Sequence, residues 1–128
     1  MVVLDTNIII DHLRLQQTSK DSKLLKIAKE KPKEVLAISL ISVEELYEGR
    51  STKDPQKEQY LLATISPLKL LPYTYEVAQL AGELARDLDR QIELADAAIA
   101  ATTILHGSSL LTLDKEDFKG IKNLQMFQ

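Results

Sequence analysis

The chain has 128 residues, 45% hydrophobic and 27% charged, which suits one globular domain that buries a core without a metal or disulfide staple. It has no cysteine, which excludes a disulfide framework, a thiolate zinc site and a thiol nucleophile. The net charge of −3 argues against simple electrostatic binding of nucleic acid, although residues 1–34 carry seven Lys/Arg against five Asp/Glu and residues 35–128 carry nine against fourteen.

The opening Met1-Val2-Val3-Leu4-Asp5 lacks a positive leader region, and Asp5 and Asp11 interrupt its apolar stretch. Neither a signal peptide nor a membrane span is expected, and the reading is cytoplasmic. Val2 to Leu4 predicts a short strand, with a helix starting after Asp5. Residues 20–31 predict a Lys-rich helix whose apolar part is Leu24, Leu25, Ile27 and Ala28. Val35 to Ser39 predicts the second strand and residues 41–49 the next helix. Asp54-Pro55 opens a helix running to about Ile65, because proline suits a first helical turn. Leu68 to Leu71, closed by Pro72, predicts the third strand. Between residues 74 and 90, Val77, Ala78, Ala81, Leu84, Ala85 and Leu88 form one apolar stripe. Glu83, Arg86, Asp87 and Arg90 lie off it. Residues 95–106 predict the last helix, stopped by Gly107 and ending on His106. Ser109 to Leu113 and Leu124 to Phe127 predict the last two strands. Strand–helix alternation indicates an α/β fold whose mainly parallel sheet is covered on both faces. No linker or repeat marks a second domain, so residues 1–128 read as one.

Four acids fall at comparable places in this pattern. Asp5 ends the first strand, Glu45 lies in the first turn of the helix after the second strand, Asp96 starts the helix before the fourth strand, and Asp114 follows that strand. All four map to the carboxyl edge of a parallel sheet, where open α/β folds place their sites. Each has an ordinary structural alternative. Asp5 or Thr6 can cap the first helix, and Asp96 its own. Ser42-Val43-Glu44-Glu45 fits a capping box with Glu45 folded back on Ser42, and Asp114 fits a turn. Together, however, four carboxylates on one edge repel unless a cation lies among them. Helix N-termini offset only roughly 0.3–1 kcal/mol each. Carboxylates with few histidines select hard ions such as Mg²⁺ or Mn²⁺.

These residues resemble the motifs of PIN domains. Val3-Leu4-Asp5-Thr6-Asn7 is similar to the opening motif. Ser39 followed by Val43-Glu44-Glu45-Leu46 and Gly49 resembles the second, and aligns Glu45 rather than Glu44 with the family's acid. Ala95-Asp96-Ala97-Ala98-Ile99-Ala100-Ala101 resembles the third, and Leu111-Thr112-Leu113-Asp114 with Asp117-Phe118 the fourth. The motifs span nearly the whole chain in order, and the compact length most resembles VapC-type toxins of toxin–antitoxin pairs. The resemblance implies a three-layer α/β/α fold with a five-stranded mainly parallel sheet. It implies Mg²⁺- or Mn²⁺-dependent endonucleolytic cleavage of RNA, homodimers, and inhibition by a small VapB-like antitoxin. Carried over by residue, Asp5, Glu45, Asp96 and Asp114 become the catalytic metal ligands, and Thr6, Asn7 and Thr112 their polar support. One departure is Leu113, where many relatives have Asn before the fourth acid. Measured from Thr112, Asp114 takes the family position; measured from Phe118, Asp117 competes. Strand alternation pairs Thr112 with Asp114 and favours Asp114, leaving Asp117 in support.

A metal-activated water needs no general-base histidine, so His12 and His106 are read as structural or surface residues. Lys20, Lys23, Lys26, Lys29, Lys31 and Lys33 can contact phosphates or form a solvated helix face, the second being favoured. Tyr47, Tyr60, Tyr73 and Tyr75 can stack bases, but packing is the safer reading. Competing functions are a housekeeping PIN nuclease in RNA processing, a catalytically inactive PIN scaffold binding RNA or protein, and a haloacid-dehalogenase-type phosphatase. The phosphatase normally wants a second acid two residues after the first, where this chain has Asn7.

Overall fold

Short apolar runs in this chain become strands because both of their faces are covered. The computed structural model describes residues 1–128. Its strands are β1 (Val2–Leu4), β2 (Leu36–Ser39), β3 (Lys69–Leu71), β4 (Ser109–Leu111) and β5 (Gln125–Met126). They form one sheet in the order β3-β2-β1-β4-β5, with every pairing parallel. Six helices accompany them: α1 (Thr6–Leu15), α2 (Lys23–Glu30), α3 (Leu40–Glu48), α4 (Pro55–Ile65), α5 (Tyr75–Asp87) and α6 (Leu94–Leu105). Short 3₁₀ turns occupy Arg50–Lys53 and Lys115–Phe118.

Strand alternation divides the core. Val2 and Leu4 face one side with Ile8, Ile9, Leu24, Ile27 and Leu61, where α1, α2 and α4 pack. Val3 faces the other side with Ile99, Ala100 and Leu110. On that side Val77 and Ala81 of α5 meet Ala97 and Ala101 of α6. The alanines of α6 leave little side chain between the two helices. This is the three-layer arrangement that the sequence predicts. Each fully buried aliphatic side chain contributes about 1.5–3 kcal/mol by leaving water, so the central β1 is the most heavily anchored strand.

Most boundaries shift by one residue, the helix expected from residue 20 starts only at Lys23, and two further differences bear on the site, each for a local reason. β4 stops at Leu111 instead of Leu113. Thr112 turns its hydroxyl toward Asp5, and the Leu113 N–H goes to Asn7 Oδ1 at 3.3 Å, so neither continues the ladder. The helix predicted to residue 90 ends at Asp87, and Leu88 is extended, with ψ 141°. Leu88 leaves the helical path, and its side chain turns toward the Gly120 segment, the Cδ1 lying 3.4 Å from where a β-carbon on Gly120 would stand.

Candidate active site

The β1–α1 junction supplies the centre of the site. Asp5 is 5% exposed and is the N-cap of α1. Its Oδ1 accepts from the Thr6 N–H at 2.7 Å, and its Oδ2 accepts from the Thr112 hydroxyl at 2.7 Å. Its own N–H donates to the Leu111 carbonyl at 2.9 Å, which fixes the exit of β1 against β4. Both readings of Asp5 therefore hold geometrically: it caps a helix and also stands at the carboxyl edge.

Thr6 reaches the other way. Its hydroxyl lies 2.5 Å from Glu45 Oε1 and 2.8 Å from Ser42 Oγ. A hydroxyl has one proton, so Thr6 donates to the carboxylate and Ser42 donates to Thr6. The capping-box reading of Glu45 is thus corrected. The N-cap of α3 is Ser39, whose Oγ accepts from the Ile41 N–H at 3.2 Å. Helix α3 begins at Leu40, so Glu45 lies in its second turn, beyond reach of the Ser42 backbone role assigned to it. Ser42, fully buried, belongs to the site's framework, and the capping-box reading concealed it.

Asp96 is not a cap either. Glu93 is the N-cap of α6, with no side-chain cap bond, and Asp96 lies in the first helical turn, half-buried. Its carboxyl is pushed up to about 7, first by burial and then by the negative charges of Asp5, Asp117, Glu45 and Glu93. Burial also raises Asp5. The bonds from Thr112 and Thr6 oppose that rise, while Glu45 and Asp117 add to it.

The fourth motif differs from its expectation. Because β4 has ended, period-two alternation does not aim Asp114 at Asp5. Instead the Asp114 N–H bonds back to the Thr112 hydroxyl at 3.0 Å, and Asp114 is exposed. Asp117, on the 3₁₀ turn, is the acid of this motif whose charge is felt at both Asp5 and Asp96. Desolvation, the Asp114 charge and a hydrogen bond shared with Asp114 all raise the Asp117 carboxyl. Asn7 braces the same region, donating from Nδ2 to the Thr112 hydroxyl at 3.3 Å while its Oδ1 holds the Leu113 N–H.

Asp5, Glu45, Asp96 and Asp117 thus share one electrostatic neighbourhood, with Thr6, Ser42, Asn7 and Thr112 bracing it. The histidines lie elsewhere. His12 Nδ1 meets the buried Ser22 Oγ at 2.7 Å, and His106 is the C-cap of α6. Lys29 pairs with Asp21 at 2.8 Å, whereas Lys20, Lys23 and Lys26 flank a surface depression that also touches Leu113 beside the fourth motif. Tyr47 donates to Glu58 at 2.7 Å and Tyr60 meets Gln56 at 3.4 Å; Tyr73 and Tyr75 are exposed.

Residues 2–124 match the family model described as the PIN domain. The chain belongs to the PIN domain family. Among relatives of this PIN domain is ribonuclease VapC19 of Mycobacterium tuberculosis, 30% identical over 128 residues and covering 98% of both chains. Ribonuclease VapC1 of Rickettsia felis is 42% identical over 60 residues, a match spanning 44% of this chain and 45% of that protein. Among solved structures, VapBC2 of Rickettsia felis bound to a DNA fragment from its promoter has a TM-score of 0.85 at 27% identity, covering 99% of this PIN domain and 98% of that chain. A toxin–antitoxin complex from Klebsiella pneumoniae has a TM-score of 0.75 at 29% identity, covering 97% and 95%.

Proposed function

We propose that this PIN domain is a divalent-metal-dependent endoribonuclease, the toxin of a VapBC-type toxin–antitoxin pair. Asp5, Glu45 and Asp96 would share the ion with its own waters, and the turn bearing Asp114 and Asp117 would close the fourth side, with Asp117 facing inward and Asp114 behind it. The observation that carries the reading is geometric: Thr112 and the Thr6 N–H hold both oxygens of Asp5 while the Thr6 hydroxyl holds Glu45. Buried and half-buried carboxylates thus gather at one sheet edge, where burial and the charges of Asp5, Asp117 and Glu45 also raise the Asp96 carboxyl to about 7. Negative charge gathered at a half-buried edge favours a cation among the acids.

The donor chemistry fits a hard ion, since every candidate ligand is a carboxylate oxygen. No three acid or histidine side chains converge tightly enough to enclose an ion by themselves. Mg²⁺ does not require that, because it keeps several waters and is commonly held by one or two carboxylates together with substrate phosphates. When bound, the ion would neutralise charge on a scissile phosphodiester and ease deprotonation of the attacking water. The chain's residues set the geometry around it. Thr6 N–H and Thr112 fix Asp5 through both of its oxygens. Thr6 and Ser42 orient Glu45. Asp96, its carboxyl raised to about 7 by burial and the neighbouring charges, would bind a cation in competition with a proton.

The VapC relatives are named ribonucleases, which supports RNA as the substrate. The toxin–antitoxin complexes among the structural neighbours support a small VapB-like antitoxin as partner. On this reading the protein works in the cytoplasm as a homodimer. No helix is long and apolar enough to cross a membrane. The test is to incubate purified protein with a mixed RNA pool, with Mg²⁺, with Mn²⁺ or with chelator, and to map the new RNA ends. Metal-dependent internal cuts that vanish in Asp96→Asn are expected. Equal cutting in chelator or in that variant would reject the assignment. Growth arrest of a bacterial host, relieved by the same substitution, separates a toxin from a housekeeping nuclease.

A further inference from the structure

Arg90 lies in the loop between α5 and α6, outside every motif that suggested function. Its Nη2 donates to two distant backbone carbonyls, Asp117 O at 3.0 Å and Lys119 O at 2.8 Å. Its Nη1 donates to the adjacent Gln91 carbonyl at 3.3 Å. Each Nη carries two hydrogens, so both long-range bonds form together. Arg90 belongs to none of the ion pairs in the structure, although Asp87, Asp89 and Glu93 are close in sequence.

The same loop grips the same turn at a second point. Gly120 has a φ of +86°, and the Leu88 Cδ1 lies 3.4 Å from where a β-carbon on Gly120 would stand. At its other end the loop runs into Glu93, the N-cap of α6, in whose first turn Asp96 lies. Loop 88–93 therefore joins the segment that delivers Asp96 to the segment that delivers Asp117.

We propose that Arg90 is a positioning residue for the ion site, clamping the Lys115–Phe118 turn so that Asp117 faces Asp5 and Asp96; this rests on the metal-site reading above. Both features of arginine are needed. The charge steadies an acidic corner, and the planar fork reaches two carbonyls at once. Lysine at this position keeps the charge but concentrates its donors on one flexible ammonium.

The test measures Mn²⁺ binding to the metal-free protein by calorimetry, and amide hydrogen exchange of residues 115–119, in Arg90→Gln, Arg90→Lys, Asp117→Asn and an Arg86→Gln control. Arg86 pairs only with Asp87, at 2.7 Å, so its loss alters nearby charge without touching the turn. Arg90→Gln should weaken Mn²⁺ binding by about 10–100-fold, the usual cost of removing a residue that supports a metal ligand. It should also speed exchange at Asp117 and Lys119, whose N–H groups close the turn onto the Asp114 and Glu116 carbonyls at 3.3 Å. Arg90→Lys should recover binding only in part, and Arg86→Gln should match the wild type. If Arg90→Gln does not fold cooperatively, Arg90→Lys carries the test. Wild-type affinity or unchanged exchange in Arg90→Gln, with binding lost in Asp117→Asn, overturns the role of Arg90 and leaves the ion site standing. Full recovery by lysine also overturns the clamp, because charge alone then suffices. Wild-type affinity in Asp117→Asn removes the acid that Arg90 would serve and overturns the clamp, while the ion site of Asp5, Glu45 and Asp96 keeps its own test in Asp96→Asn.

Discussion

Removing the charge of Asp96 should stabilise the metal-free protein while destroying its site. A carboxyl that binds its proton more tightly folded than unfolded contributes stability that is fully present below the unfolded value. That contribution is lost as pH rises through the folded value. For Asp96 the window runs from 3.8 to about 7. At about 1.4 kcal/mol per tenfold, that gap corresponds to roughly 4 kcal/mol. Asp96 is only half-buried, so solvent screening reduces the effect to the order of 1–2 kcal/mol. Asp96→Asn keeps the shape and removes the penalty. In chelator at pH 8 the variant should therefore melt roughly 3–10 °C above the wild type. At pH 4 the two should nearly coincide, because the wild-type carboxyl is then protonated in the folded state. Mn²⁺ at pH 8 should reverse the order by stabilising the wild type alone. The assay is thermal unfolding followed by circular dichroism at four pH values, with and without the ion. If the variant is no more stable than the wild type at pH 8, or its advantage does not change with pH, burial and neighbouring charge do not penalise the ionised Asp96 as argued.

The other expectations concern the braces and the fourth motif. Thr112→Val removes the hydroxyl that donates to Asp5 and accepts from Asn7 and the Asp114 N–H, so it should cost about 2 kcal/mol in urea unfolding; Thr112→Ser should keep most of the stability. Asp117→Asn should lower the titration midpoint of Asp96, read by carboxyl carbon NMR, whereas Asp114→Asn should leave it in place. In RNA cleavage the Asp117 variant should likewise be the more impaired, against the order that strand alternation predicts. Mn²⁺ affinity, measured by calorimetry, should fall by about tenfold for each pH unit below about 7, because the ion must displace the Asp96 proton. Ser39→Ala should cost about 1 kcal/mol through loss of the α3 N-cap, and should lower cleavage by loosening the helix that carries Glu45.

Much of the architecture was legible because strand and helix signals do not compete in this chain. Val2 to Leu4 is too short for a helix, and the stripe through Val77, Ala81 and Leu84 has no strand period. The parallel sheet followed from that alternation. Asp5, Glu45 and Asp96 were legible as a group because topology brings strand ends and helix starts to one edge. Their individual geometry was not. Glu45 suited a capping box by local spacing, and only the long-range bond from Thr6, 39 positions away in the chain, ties it to the residue beside Asp5. Asp114 and Asp117 could not be ordered, because the choice depends on whether β4 continues past Leu111. The Leu113 N–H answers that by bonding to Asn7, 106 positions away. Arg90 looked like one more surface charge on a helix, and no local pattern reveals that the helix ends before it.

The pairing of β1 with β4 also bears on how the protein is made. Asp5 and Thr112 stand 107 positions apart, so the ribosome finishes most of the chain before the hydroxyl that fixes Asp5 exists. At roughly 5–20 residues per second that interval lasts several seconds. Until β4 emerges, β1 lacks one neighbour, and Asp117, which follows β4, is still unmade or hidden in the exit tunnel. The emerging polypeptide therefore has no assembled acid cluster until β4 is in place beside β1.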